Sequence, residues 1–306
     1  MSAVVDDKVL LYADDSGILV TGKCKSEIEA ILSNDLELIS AWLVDNKLSL
    51  HLGKTESILF GSKPKLRNGS SLAITCNGVG ISASETVKYL GATLDQQLSG
   101  ETIAWSVINK ANSRLKFLYR KGKFLTMHTR KLLVMSLVQC HFDYACSFWY
   151  PGLSQNLKNR LQTTQNKLFR FVLNLDNRSH IGPEQFVYLD WLPVSKRVDQ
   201  IILCHVHKIR YGSAPDYLGE NFVPLSTVHT RNTRSSVVAQ SNLVDCDGSY
   251  LFRDTGQFSK PRVRGFGERS FASKGVQLWN NLPQSIRDIP VQSRFKAAVK
   301  KHLLSF

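Results

Sequence analysis

The chain has 306 residues and a formal net charge of +14, and 43% of its residues are hydrophobic. This length and apolar content suffice for two domains with buried cores, which excludes a short or wholly disordered polypeptide. The charge is uneven, because residues 1–100 hold 9 Lys and Arg against 12 Asp and Glu, whereas residues 101–306 hold 30 against 13. This split predicts a catalytic region followed by a polyanion-binding region; a generally basic protein is the plainer alternative.

The six cysteines are scattered, without a C-x-x-C pair or zinc-finger spacing, so the sequence predicts no zinc site. This usage favours a reducing compartment, and we expect a nuclear or cytoplasmic protein rather than a secreted one. The N-terminus lacks a signal-peptide pattern, and no apolar run approaches the ~20 residues that a membrane-spanning helix needs. We therefore expect no membrane partner.

The most informative stretch is residues 9–20, where one apolar segment ends at Asp14 and Asp15 and a second one follows. We interpret it as a β-hairpin with the acids at its tip and a turn supplied by Ser16 and Gly17. Adjacent carboxylates repel each other and lose hydration when buried, so folding alone does not favour this arrangement. A Mg²⁺ ion would remove the conflict, since it prefers hard oxygen ligands. An ordinary acidic turn is the alternative, because Asp and Ser are common turn residues.

The remainder of the first hundred residues predicts one helix and several strands, which is an α+β pattern. A capping box of Ser26 and Glu29 begins the helix, whose apolar residues recur at helical spacing to about Val44. Strands are predicted at 48–52 and 87–91, a second apolar run occupies 58–60, and residues 62–71 form a basic, glycine- and serine-rich loop. Asn77 and Gly78 are a strong signal for a hairpin turn.

From Gly100 the apolar period becomes helical and predicts helices at 103–119, 129–148, 156–175 and 183–211, the last one interrupted at Pro193. Basic residues recur along these helices and suit the neutralisation of nucleic-acid phosphates. They are Arg114, Lys116, Arg120, Lys121, Lys123, Arg130, Lys131, Lys158, Arg160, Lys167 and Arg170. Aromatic residues lie among them, and we interpret these as buried core: Phe117, Tyr119, Phe124, Phe169 and Phe171.

Residues 226–274 are rich in Ser, Thr, Arg and Gly and lack a period, which predicts a long, partly disordered loop. An apolar face around Trp279 marks the return of order, and residues 295–304 predict a short basic amphipathic helix.

Four landmarks, in this order and spacing, resemble the reverse transcriptases of non-LTR (LINE-type, jockey-like) retrotransposons. Tyr12-Ala13-Asp14-Asp15 resembles the family's YADD box, and residues 48–60 with Lys54-Thr55 resemble the palm motif that follows it. Tyr89-Leu90-Gly91 is similar to the next strand, which carries a YLG motif. Residues 271–296, with Trp279 at their centre, resemble the C-terminal tail of jockey-type elements.

The resemblance implies an RNA-directed DNA polymerase, which adds nucleotides from dNTPs to the 3′-hydroxyl of a DNA primer on an RNA template with two Mg²⁺ ions. Asp14 and Asp15 would be the catalytic metal ligands, and Lys54 would lie beside the active site. Tyr12 would lie near the incoming nucleotide or primer end, and Tyr89-Leu90-Gly91 would support the primer.

The resemblance also implies three parts: the rear of the polymerase palm over residues 1–98, an α-helical thumb over 99–215 and a retroelement tail over 216–306. The eleven basic residues of the thumb helices would grip the template–primer duplex through its backbone. The fold class expected is thus α+β, a partial palm followed by a mainly helical thumb and tail.

The family places another metal-binding aspartate on an earlier palm strand, and we expect that strand and the fingers to be missing upstream of this chain. Asp6 and Asp7 do not substitute, because they lie on the same strand as Asp14. A straight strand places Asp6 on the order of 26 Å from Asp14, whereas two catalytic metals lie about 4 Å apart. We therefore expect the isolated chain to be inactive. The alternatives are a non-catalytic nucleic-acid-binding module or a decayed retroelement remnant, and, below these, a viral RNA-dependent RNA polymerase fragment.

Overall fold

The computed structural model describes residues 8–67, 71–225 and 256–305. It divides into two compact units, Met1–Thr102 and Ile103–Phe306. Within the described residues, the named strands all lie in the first unit and the second is mainly helical. The α+β class predicted from the sequence is confirmed. Asp6 and Asp7, the two acids near the start of the chain, lie outside the described residues.

The first unit is built from one long helix and short paired strands. Its elements are β1 Lys8–Tyr12, β2 Asp15–Leu19, α1 Lys25–Asp45, β3 Glu56–Ser57, α2 Lys63–Leu66, β4 Thr75–Cys76, β5 Val79–Gly80, β6 Ser82–Ala83, β7 Thr86–Tyr89 and β8 Ala92–Asp95. The described strands pair two by two: β1 with β2, β4 with β5 and β7 with β8 are antiparallel, and β3 with β6 is parallel.

Helix α1 supplies the core of the first unit. Its buried residue Leu36 packs with apolar residues of the 72–81 segment, and Ile39 and Leu43 pack against Val9 and Ile18 of the first hairpin. The capping box predicted for this helix is wrong, since its N-cap is Cys24 and has no side-chain cap. Glu29 instead accepts a hydrogen bond from the Ala73 amide at 2.7 Å, a long-range contact that its position in the sequence does not reveal.

The strand predicted at residues 48–52 is also wrong. Leu50 and Leu52 pack against the core on the same side, which explains their alternation, but the backbone forms no strand and turns as a 3-10 helix at Leu52–Lys54. The Asn77-Gly78 turn is confirmed: it joins β4 to β5, and its residues have positive φ values of 50° and 75°, as a type I′ turn requires.

The second unit is a helical bundle. Its helices are α3 Glu101–Tyr119, α4 Met127–Val134, α5 Cys140–Asp143, α6 Cys146–Trp149, α7 Gln155–Leu173, α8 Pro183–Leu189, α9 Val194–Arg210, α10 Asp216–Gly219, α11 Phe271–Asn281, α12 Gln284–Arg287 and α13 Gln292–Leu304. The predicted helices at 103–119 and 156–175 are confirmed as α3 and α7, and the predicted break at Pro193 separates α8 from α9.

The helix predicted at 129–148 is divided into three. A π-helical turn at Met135–Gln139 separates α4 from α5, and Ala145, with φ of 50°, separates α5 from α6. The break at Ala145 is stabilised because the Trp149 indole donates to the Tyr144 carbonyl at 2.9 Å. A residue in the left-handed conformation ends a regular helix. The sequence has no glycine or proline at this position that would have predicted the break.

Helix α9 lies at the centre of the unit and packs against α5, α6, α7, α10, α11 and α13. Its buried stripe includes Val198, Ile202 and Val206. Polar side chains fix its partners: Arg197 forms a two-pronged ion pair with Asp143 of α5, and other residues of α9 bond the backbone of the C-terminal helices.

The loop predicted over 226–274 is corrected in its second half, while residues 226–255 lie outside the described part. Phe258 is 3% exposed and pairs with Pro224 in a β-bridge, and a 3-10 turn covers Gly265–Arg269. The Trp279 indole donates to the Gly256 carbonyl at 2.6 Å, so residues of α11 hold this segment in place. None of the described helices is both long and apolar enough to cross a membrane.

His207 of α9 is 1% exposed and lies between the rings of Phe295, Tyr211 and Trp279. Its Nε2 donates to the Ile289 carbonyl at 2.8 Å, whereas its Nδ1 is buried with no partner among the described residues. Burial lowers the pKa of this imidazole, and the hydrogen bond to Ile289 opposes the shift. Protonation would therefore bury a charged N–H group without an acceptor.

We predict that the second unit loses stability on acidification through His207. Because the folded-state pKa lies below the unfolded value, the contribution is complete above about pH 6.5 and is lost as the pH falls below it. Urea unfolding measured between pH 5 and pH 8 should show a flatter pH dependence in His207→Gln than in the unaltered chain. His302→Gln, an exposed position on α13, is the control; equal slopes in all three proteins would contradict the assignment.

Candidate functional site

The first hairpin carries the paired acids at a tight turn. Tyr12 pairs with Asp15 across β1 and β2, which leaves Ala13 and Asp14 as a two-residue loop. The turn predicted at Ser16 and Gly17 is therefore wrong. Ala13 has a φ of 52°, the positive value that the first position of a type II′ hairpin turn needs. Alanine rarely adopts this conformation, so its residue type did not reveal the turn.

The strand register separates the hairpin into two faces. Val9 and Ile18 are paired and lie toward α1, where they pack against its buried residues. Because side chains alternate along a strand, Tyr12, Asp15 and Gly17 lie on the opposite face. Tyr12 is 64% exposed, and Asp14 and Asp15 are exposed as well.

The second motif contacts that same outer face. A Cβ atom added to Gly17 would lie 3.9 Å from the Tyr89 ring and 3.9 Å from the Cβ of Leu10. Tyr89 of β7 therefore covers the hairpin at Gly17, two residues from Asp15 along β2. The structure thus brings Tyr12, Asp15 and Tyr89 to one face. Gly17, which leaves room for the ring, is a residue that the sequence analysis assigned to a turn instead.

Leu90 and Gly91 form the turn between β7 and β8. Their φ values are 46° and 80°, so both occupy the left-handed region that a type I′ turn requires. The predicted strand at 87–91 is thus a strand ending at Tyr89 followed by a turn. Leu90 is strained in this conformation, because its Cβ crowds the following carbonyl group.

The two acids have a donor set that fits a magnesium ion. Among the described residues, neither the Asp14 nor the Asp15 carboxylate makes a hydrogen bond or ion pair, so their oxygens are open to a ligand. Proteins bind Mg²⁺ through one or two carboxylates, with water or substrate phosphate completing the shell. No group of three or more His, Cys, Asp or Glu suited to a metal occurs in the part of the chain that the structure describes.

Lys54 lies in a different segment. It ends the 3-10 turn Leu52–Lys54 and its side chain is exposed. The hydroxyl of its neighbour Thr55 donates to the His51 carbonyl at 3.2 Å, and this bond stabilises the turn that contains the lysine. Lys54 is therefore accessible to solvent, and among the described residues it makes no hydrogen bond or ion pair with Asp14 or Asp15.

The basic residues of the second unit fall into two sets. Arg114, Lys116, Arg120 and Lys121 are exposed along the C-terminal half of α3 and the turn after it. Lys123 lies in the adjoining 3-10 turn Gly122–Phe124. The prediction of Phe117 and Phe124 as core residues is wrong, since they are 61% and 87% exposed and lie among these cations in the sequence. We call this set, Arg114 to Phe124, the basic–aromatic segment.

The other basic residues contact the protein itself. Lys131, Lys158, Arg160, Lys167 and Arg170 each bond a backbone carbonyl or a side-chain amide of the second unit. Arg130 is 8% exposed, and its guanidinium donates to the carbonyls of Gly122 and Phe171. These hydrogen bonds hold α4 against α7, so Arg130 is not part of a nucleic-acid-binding surface.

Comparison with known proteins adds three relatives. The chain is 25% identical over 164 residues to a probable RNA-directed DNA polymerase from transposon BS of Drosophila melanogaster, which covers 53% of this chain and 18% of that protein. It is 23% identical over 177 residues to the RNA-directed DNA polymerase from the mobile element jockey of Drosophila funebris, covering 56% and 19%. It is 20% identical over 196 residues to a retrovirus-related Pol polyprotein from the type-1 retrotransposable element R1 of Nasonia vitripennis, covering 62% and 58%.

The chain resembles the RNA-directed DNA polymerases of non-LTR retrotransposons. It spans about a fifth of the length of the BS and jockey proteins, at 18% and 19%. No family model matches the chain. No solved structure matches it either.

We predict that the YLG turn depends on glycine at its second position. Replacing Gly91 by alanine forces a Cβ into φ of 80°, at a cost of about 1–2 kcal/mol. Hydrogen exchange of the amides in β7 and β8 should accelerate roughly tenfold or more, since 1.4 kcal/mol corresponds to a factor of ten.

Gly80→Ala is the matched control for Gly91→Ala, because Gly80 also lies in a hairpin, two positions after its turn, has no positive φ, and has no atom within 4 Å of an added Cβ. Equal exchange rates in the two variants would show that the turn conformation has been misassigned.

Proposed function

We propose that this chain supplies the metal-binding hairpin and a nucleic-acid-binding helical part of a non-LTR retrotransposon RNA-directed DNA polymerase. The observation that carries the proposal is the shared face of Tyr12, Asp15 and Tyr89. Two motifs separated by more than seventy residues meet on one exposed surface, beside carboxylates that are open to a ligand. The similarity to the BS, jockey and R1 proteins supports polymerisation as the proposed reaction.

In this proposal Asp14 and Asp15 hold Mg²⁺. A bound Mg²⁺ would supply activation of the primer 3′-hydroxyl and stabilisation of the charge on the nucleotide phosphates. Tyr12 and Tyr89 present aromatic faces on which a base or sugar at the primer end can lie. Lys54, in its exposed turn, is the candidate cation for the charge that develops on the phosphates.

The hairpin needs further polypeptide to work as a polymerase site. A two-stranded hairpin is marginal alone, and its apolar residues Leu10, Leu11 and Leu19 are 39%, 56% and 43% exposed. The described residues also offer no third carboxylate to complete a metal cluster with Asp14 and Asp15. We therefore propose that strands from outside this chain cover the hairpin and add the missing ligand, and that the isolated chain is inactive.

A second candidate function rests on the second unit. The basic–aromatic segment combines exposed cations, which neutralise phosphates, with exposed Phe117 and Phe124, onto which unpaired bases can stack. This combination supports nucleic-acid binding whether or not the hairpin is catalytic. A non-catalytic binding module is thus the alternative to a polymerase part.

The metal site can be tested without polymerase activity. We predict that Mn²⁺, used as a paramagnetic substitute for Mg²⁺, broadens the NMR signals of residues 12–17 of the chain. Asp14→Asn combined with Asp15→Asn should abolish the broadening, because a neutral amide is a weaker ligand than a carboxylate. Asp45→Asn, at the exposed end of α1, should leave it unchanged.

Primer extension on an RNA template supplies the second readout of the same prediction. We expect none from the isolated chain with Mg²⁺ and dNTPs. Extension that disappears in Asp14→Asn would show that the chain needs no further ligand. Broadening that persists in the double variant would remove the hairpin as the metal site.

Binding to a primed RNA–DNA duplex should depend strongly on salt. Each phosphate contact contributes about 0.9 to the slope of log K against log salt on duplex DNA. We predict that Arg120→Gln with Lys121→Gln reduces the slope by about two, measured by fluorescence anisotropy. Lys296→Gln with Lys301→Gln removes the same charge from exposed positions on α13. Equal slopes in both double variants would leave only net charge as the cause of binding.

A further inference from the structure

A cavity of about 480 Å³ opens in the second unit. None of the residues that line it belongs to the basic–aromatic segment. One wall is the start of α7 with the residues before it, another is the first half of α9, and the third is the 3-10 turn Gly265–Arg269 with the beginning of α11. Its volume is in the range of small-molecule sites.

Three cations from two of these walls face the cavity: Lys158 of α7, Arg269 of the 3-10 turn and Lys274 of α11. The Lys158 ammonium lies 5.5 Å from the centroid of the Tyr150 ring and 3.5 Å from the Pro151 carbonyl oxygen. Burial lowers the pKa of Lys158, and the nearby charges of Lys274 and Arg269 lower it further. Lys274 and Arg269 are therefore close enough to Lys158 for their charges to repel its ammonium group, while the charge of Asp199 acts in the opposite direction.

The wall formed by α9 contributes Asp199. Its side chain is half-buried and forms no ion pair with any described residue. Burial raises the pKa of this carboxyl, while Lys274, Lys158 and Lys196 act in the opposite direction. Burial, followed by the charge of Asp199, raises the pKa of Tyr150 to about 12, so this phenol keeps its proton. The Asp199 oxygens accept no hydrogen bond from any described residue, which leaves them open to a donor group of a ligand.

We propose that this cavity binds a phosphorylated, hydroxyl-bearing ligand of nucleotide size, with its phosphate between Lys158, Arg269 and Lys274 and a hydroxyl or N–H group on Asp199. The cavity lies wholly within the second unit, so the proposal does not depend on the polymerase site.

The arrangement of charges favours a ligand over a purely structural role. A structural cluster would pair Asp199 directly with a cation, since an unpaired, partly desolvated charge destabilises the fold. Here Lys158 and Lys274 are near enough to Asp199 to lower its pKa, yet no described cation forms an ion pair with it, and one other acid, Glu268, lines the cavity. A phosphate would satisfy several cations together, and charge-assisted hydrogen bonds to phosphate are strong. The Asn159 amide, which accepts from Gln155 through its oxygen, keeps its NH₂ group for the same ligand.

The test is calorimetric titration of the whole chain with AMP, inorganic phosphate and adenosine. We expect AMP to bind, inorganic phosphate to bind more weakly and adenosine not to bind. Arg269→Gln and Lys274→Gln should each weaken AMP binding by about tenfold, the effect of losing one charge-assisted hydrogen bond. Arg269 is exposed, so its variant should fold normally, which circular dichroism and thermal unfolding will verify.

Lys301→Gln, an equal charge loss outside the cavity, is the control and should leave AMP binding unchanged. Asp199→Asn should reduce the preference for AMP over inorganic phosphate, because it replaces a charged acceptor for the hydroxyl by a weaker, neutral amide oxygen and also removes the repulsion of phosphate. The ligand could be a free nucleotide or the 5′ end of a nucleic-acid strand, and a 5′-phosphorylated trinucleotide distinguishes the two. Tighter binding than AMP indicates a strand end, and weaker binding indicates a free nucleotide. Adenosine binding as tightly as AMP, equal affinity in the Lys274 and Lys301 variants, or no saturable binding of AMP overturns the proposal.

Discussion

The packing of α9 is the constraint on which the second unit depends. A helix in contact with six others must bury most of its circumference, and its polar residues must then find partners inside the protein. Gln200 donates to the Lys296 carbonyl, Lys196 to the Leu303 carbonyl and His207 to the Ile289 carbonyl. Each of these bonds joins α9 to the C-terminal segment. Residues 271–304 are thus part of the same core as α7 and α9.

This arrangement also creates the cavity. Because α11 packs on α9 while the turn before it reaches the start of α7, the three segments meet around Lys158 and Asp199. Close approach of α11 depends on Gly275, where an added Cβ would lie 2.9 Å from Val206 and 3.3 Å from the Phe222 ring. A larger residue there would displace α11 and with it Lys274, one position earlier. The packing of the core and the geometry of the cavity are therefore coupled through one helix.

The helical part could be predicted from the sequence because its information is local. Apolar residues at a period of 3.6 define α3 and α7 directly, and Pro193 marks the start of α9. What failed depended on distant partners. Glu29 bonds Ala73 instead of capping its own helix, Arg130 is turned inward by the carbonyls of Gly122 and Phe171, and Phe258 is buried by α11. No local pattern reports such contacts.

The candidate site illustrates the same limit more sharply. The acids were found because two adjacent carboxylates are chemically conspicuous, but the turn was placed three residues too late, since serine and glycine usually occupy turns and alanine does not. The contact between Gly17 and Tyr89 was invisible, because a glycine in a strand can mark a bulge, a turn or the close approach of a ring.

Both motif turns place an ordinary residue in a strained conformation, Ala13 at φ of 52° and Leu90 at 46°. A left-handed non-glycine residue costs roughly 1–2 kcal/mol, and a longer loop would avoid this cost. A two-residue turn, however, fixes the register: it sets Tyr12 opposite Asp15, and Tyr89 opposite Ala92. Shifting either register by one residue would turn Asp15 or Tyr89 to the other face of its strand. The strain at Ala13 and Leu90 is therefore the consequence of holding these side chains on one surface.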